Sequence, residues 1–117
     1  MNAVTLIYKI CDADAWREAE RAGTFGGAGI DLTDGFIHFS AADQVAETAA
    51  KHFAGRQNLV LVAVAVEALG TSLRWEPSRG GALFPHLYGA LPMRAVRFVK
   101  PLPIDEQGRP LLPELSG

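Results

Sequence analysis

Eight consecutive residues, Leu59 to Val66, are apolar on both faces that an extended chain presents, and half of them are valine. A strand of this kind has to be covered on both sides, so the run predicts a central strand inside a layered core. It falls far short of the ~18 or more apolar residues that a membrane helix requires, and no membrane segment is expected. The 117 residues, 49% hydrophobic and 21% charged, fit one domain over 1–117. A chain this long buries about two-thirds of its unfolded surface without a disulfide or a structural metal. Cys11 is the only cysteine, which excludes an intrachain disulfide and a thiolate-rich zinc site. The N-terminus lacks the basic, then apolar, then small-residue pattern of a secretion signal, so a cytoplasmic protein is expected.

Other elements follow from local pattern. Thr5 to Ile10 alternates as a first strand. Asp12 or Asp14 caps a short helix with Trp16, Ala19 and Ala22 on one face and Gly23 at its end. From Thr24 to Gly35, four glycines and two aspartates without periodicity read as a loop of functional length that could serve as a lid. Phe36 to Ser40 is a second strand, with Ile37 and Phe39 on one face and Phe36, His38 and Ser40 on the other. Ser40, with Asp43 three residues on, starts a second helix carrying Val45, Ala49, His52 and Phe53, and Gly55 ends it. Leu73 to Glu76 and Phe84 to Tyr88 are short strands joined by residues 77–81, and Pro85 demotes the latter to an edge or an irregular segment. Ala95 to Val99 forms a last strand. Pro101, Pro103, Pro110 and Pro113 make residues 103–117 an extended tail outside a core of about 4–102. Two early helices with four or five later strands give an α+β fold.

Net charge is −2, yet Arg74, Arg79, Arg94, Arg97 and Lys100 face only Glu76 between residues 74 and 100. That section is either a solvated basic face or one that meets an anionic ligand. It lacks the basic stripe of a nucleic-acid module. No phosphate loop, dinucleotide-binding glycine fingerprint or helical histidine pair is present.

The candidates are therefore single residues. His38 shares a face with Ser40; it either lines a cleft or is a buried histidine bonded to a backbone carbonyl. Phe84, His86 and Tyr88 share a face, which offers either a platform for a ring ligand or an aromatic cluster closing the core. Glu76 is a general acid or base if partly buried, or a partner of Arg74 or Arg79. Lys9, mid-strand, points into a wet cleft or snorkels at an edge. His52, at a helix end, is assigned a structural role near the last carbonyls.

Together, Ile7 to Ile10, Asp34 to Ser40, Leu73 to Gly81 and Phe84 to Gly89 resemble a small bacterial family, domain of unknown function 952, over nearly the whole chain. The resemblance implies a single ADP-ribosyltransferase-like domain with a split, antiparallel-rich sheet, similar also to RNA 2'-phosphotransferases. It implies NAD or a related nucleotide as cofactor, and transfer of ADP-ribose to an acceptor. A chain of this length leaves no room for a domain that selects a protein target, so the acceptor expected is small or brought by a partner.

By motif, Tyr8-Lys9 takes the place of a Tyr-His pair, His38 the nicotinamide side, and His86 the place of a catalytic glutamate. The resemblance then puts Lys9, Ser40, Arg79 and Tyr88 on the nucleotide, with His38, His86 and Glu76 as the catalytic group and His86 with Glu76 moving protons. Two other readings stand beside it. One is a non-catalytic module that senses a ligand or binds a protein; the other is a hydrolase whose divalent metal is held by His38, His86 and Glu76.

Overall fold

The computed structural model describes residues 4–115, apart from the side chain of Arg79. The long apolar run becomes β4, Leu59–Ala65, the middle strand of a three-stranded antiparallel sheet in which β1, Leu6–Asp12, and β8, Val96–Leu102, flank it. Its alternation divides the core in two. Val62 and Val64 join one cluster with Ile7, Trp16 and Phe25. Leu59, Leu61 and Ala63 join the other with Tyr8, Ile10 and Val45. Both faces are thus covered, as the composition of the run requires.

The other sheet has the order β3, β6, β5, formed by Ile37–His38, Ala82–Leu87 and Leu73–Ser78. A two-stranded ribbon pairs β2, Thr24–Phe25, with β7, Leu91–Pro92. The radius of gyration, 13.4 Å, is that of one compact body of this length. Among the described residues no helix is long and apolar enough to cross a membrane.

Helix α1, Ala13–Ala22, has the expected ends: the Asp12 carboxylate accepts from the N–H groups of Asp14 and Ala15, and Gly23 closes it at φ 89°. Nothing lies within 4 Å of where a Gly23 Cβ would sit. Gly23→Ala is therefore expected to cost about 1 kcal/mol from left-handed backbone strain alone, read as a lower urea midpoint with an unchanged slope.

Four expectations are corrected. The glycine-rich segment is not all loop, because it contains β2 and a five-residue helix α2, Ile30–Asp34. Three α-helices are therefore present among the described residues, the last being α3, Val45–His52. Ser40 does not cap α3; it exchanges both backbone hydrogen bonds with Tyr8, and Gln44 precedes the helix. Most consequentially, β6 is the middle strand of its sheet despite Pro85. Pro85 is accommodated because β3 is so short: Phe39 N–H donates to the Pro85 carbonyl at 3.0 Å, and the return bond would need the N–H that proline lacks. The strand pairing stops there, and Ser40 crosses to β1. The last strand also runs past its expected end to Leu102, and Leu112 and Leu115 of the tail pack on the second core cluster.

Candidate functional site

Register builds the site. His38 lies opposite His86 across β3 and β6, and Arg74 lies opposite His86 across β6 and β5. Side chains at paired positions share a face, so strand alternation collects Phe36, His38, Arg74, Glu76, Phe84, His86 and Tyr88 on one side. Ile37 and Leu87 go to the core on the other. The Phe36 ring stacks on His86 at 4.2 Å between centroids, with His38 at 4.5 Å and Tyr88 at 5.2 Å. The two imidazoles are 5.4 Å apart.

Each histidine is held by acid groups. His86 Nδ1 is 2.8 Å from Glu76 Oε1, and the Tyr88 hydroxyl donates to the same oxygen at 2.7 Å. The Arg74 guanidinium sits over the Tyr88 ring at 5.0 Å. These bonds, that of His86 foremost, hold the Glu76 carboxyl below its ordinary range, while Glu76 pushes the Tyr88 phenol up. The phenol therefore stays protonated at neutral pH.

His38 Nδ1 is 2.6 Å from Asp31 and its Nε2 is 3.0 Å from Asp34. Both carboxylates come from α2. Asp31 is only 2% exposed and also accepts from the His38 and Ala28 backbone N–H groups. Lys9 Nζ completes its shell at 2.8 Å. Gly27 permits this packing, since a Cβ there would meet the Asp31 Cβ at 2.9 Å. Burial alone would raise the Asp31 pKa, but the His38 bond and the Lys9 charge overcome it and hold the carboxyl at about 2.

Lys9, His38, Ser40 and His86 line one cavity of about 630 Å³, with walls that include Asp34, Phe84 and Arg56. Three distant chain segments thus converge. Glu76 and Tyr88 stand behind His86 and do not line this cavity. The Arg79 side chain lies outside the described structure, so its expected place on the ligand has no counterpart here. Ser40 is buried, and its Oγ is 2.9 Å from Thr48 Oγ1. Cys11 also lines the cavity, but burial pushes its thiol up to about 11, so it is no thiolate nucleophile at neutral pH.

Two expectations change. Lys9 neither points freely into a wet cleft nor snorkels; it is 8% exposed and spends its charge on Asp31. The metal reading fails on geometry, because no group of three His, Cys, Asp or Glu side chains among the described residues is arranged to hold an ion. The sequence reading passed over Asp31, Asp34 and Phe36 as site residues. Two carboxylates three residues apart in a glycine-flanked segment were the available signal.

A family model described as a protein of unknown function, DUF952, matches residues 10–99. The crystal structure of protein CC0527 from Caulobacter crescentus is 52% identical, covering 92% of this chain and 94% of that one with a TM-score of 0.88. The solution structure of CC0527 gives 52% identity, 90% coverage of each chain and a TM-score of 0.81. A search of curated proteins finds no match.

Proposed function

The chain belongs to the DUF952 family, and from that premise we propose that it binds NAD or a related nucleotide in the cleft between β1, β3 and β6 and transfers ADP-ribose to a small acceptor. The observation that carries this reading is the convergence of Lys9, His38, Ser40 and His86 on one cavity of about 630 Å³, a size typical of small-molecule sites. An ADP-ribosyltransferase-like split sheet is consistent with two antiparallel sheets joined by the Tyr8–Ser40 bridge.

In this reading a flat ring packs against His38 and His86, whose imidazoles are braced by the Phe36 ring outside the cavity lining. Lys9 acts indirectly, bracing Asp31 and through it His38. The glutamate absent from the position of His86 has a substitute one strand away, because Glu76 is bonded to that imidazole. Standing behind His86 and outside the cavity lining, Glu76 acts on a bound ribose only through that imidazole.

Calorimetry with NAD and with ADP-ribose, together with ring resonances of His38 and His86, tests the proposal. Saturable heat from ADP-ribose and displaced signals from both rings are expected. Absence of both for either ligand at millimolar concentration would sink it. Binding without any release of nicotinamide would instead favour a ligand sensor.

A further inference from the structure

The His86 side chain is 6% exposed and reaches the cavity, yet among the described residues only its Nδ1 has a hydrogen-bond partner. That partner fixes the ring. With its pKa lowered by His86 and Tyr88, Glu76 is an ionised carboxylate at neutral pH, which can only accept, so Nδ1 carries the hydrogen. The neutral ring then keeps a lone pair on Nε2. A buried acceptor left open in a cavity calls for a donor that the protein does not itself supply.

The surrounding acids say what kind of donor fits. Asp12 is occupied by the N–H groups of Asp14 and Ala15, Asp31 by Lys9 and His38, Asp34 by His38, and Glu76 by His86 and Tyr88. Asp12 and Asp34 keep a second oxygen, but each carboxylate is already tied to donors of the protein, so a cationic acceptor such as an amine or a guanidinium would have to compete for it. A neutral hydroxyl needs no such partner. It does need a base, being a poor nucleophile until its proton is drawn away.

We infer that His86 is a catalytic base for transfer to oxygen: its Nε2 removes the proton of water or of an alcohol bound in the cavity, and Glu76 positions the ring. The inference rests on the nucleotide reading above. In the step, the hydroxyl oxygen bonds to C1′ of the nicotinamide ribose as its hydrogen passes to Nε2. The C1′–N bond breaks with its electron pair going to nicotinamide, which leaves neutral, and the imidazolium later returns its proton to solvent. Besides Glu76, the groups facing His86 are Arg74 from β5, Tyr88 just after β6, and His38 from β3.

The first measurement needs no nucleotide. Nitrogen NMR of the histidine rings in the full chain at mildly alkaline pH should show His86 with hydrogen on Nδ1 and a bare Nε2. Glu76→Gln should shift the ring toward the other tautomer. The second follows nicotinamide release from NAD in water, with added methanol, or with agmatine as a guanidinium acceptor. ADP-ribose and its methyl glycoside are the expected products, and agmatine should remain unmodified.

Glu76→Gln should slow release about 100-fold at unchanged KM. His86→Ala should abolish release, and the milder Glu76→Gln decides the matter if that variant fails to fold. A hydrogen on Nε2 in the unaltered chain, an agmatine adduct, or undiminished release in Glu76→Gln overturns the inference. The two possible failures are separable. An Nε2–H ring overturns the base whether or not nucleotide binds, whereas no heat from ADP-ribose overturns the nucleotide reading and with it the transfer.

Discussion

Asp31→Ala is expected to lower the unfolding free energy by about 3–5 kcal/mol, because removing one partner of a buried ion pair strands the other in a medium that cannot solvate it. Lys9, 8% exposed, would be that stranded charge. The same change releases His38 Nδ1 and the backbone N–H groups of Ala28 and His38, so α2 loses its principal polar tie to the site. Urea unfolding measures the cost, and a loss under 1 kcal/mol would contradict this account.

The carboxyl also predicts a pH signature. Its folded pKa of about 2 lies below the ordinary 3.8, so Asp31 contributes its full stabilisation above about pH 4. That contribution is lost as pH falls through about 2, because the unfolded chain takes up the proton first. The shift corresponds to roughly 2 kcal/mol. Asp31→Asn should flatten this part of the acid limb.

Trp16→Ala should cost a similar amount, about 3–5 kcal/mol, for an unrelated reason. Trp16 is 2% exposed, meets the Phe25 ring at 5.4 Å, and donates its indole N–H to Glu20 at 3.1 Å. It carries the apolar face of α1 onto the first core cluster, and truncation leaves a cavity that the sheet cannot collapse to fill. The two variants are told apart at the site. Asp31→Ala should displace the His38 ring resonances in the folded protein, while Trp16→Ala should leave them in place and lower the urea midpoint alone.

What the chain discloses before folding follows the range of the forces involved. The central strand and α1 were legible because a doubly apolar run, an Asp12 cap and a Gly23 terminus act within a few residues of themselves. The shared face of Phe84, His86 and Tyr88 was equally readable, as alternation is a property of any extended chain. Helix α2 was not. Its five residues have no buried apolar stripe, with Ile30 and Leu32 at 64% and 69% exposure, and it is held by Asp31 contacts reaching back to Lys9 and forward to His38. Ser40 misled for the same reason: a serine followed by Asp43 looks like a helix start, but its backbone was already committed to Tyr8. Four of the site residues chosen on pattern and resemblance meet in the cavity, while the acids that orient His38 come from the segment where pattern was silent.

Pro85 links architecture to opening. Were residue 85 able to donate, the second strand could run on alongside β6, and Ser40 would have no reason to leave for Tyr8. One missing amide hydrogen thus behaves as a wedge: it ends the zipper at Phe39 and hands the next residue to the opposite sheet. The gap kept ajar is lined by Ser40 and Phe39 on one side of the handover and by His86, the neighbour of Pro85, on the other. The residue least suited to the middle of a sheet therefore sets where the cavity of this molecule lies.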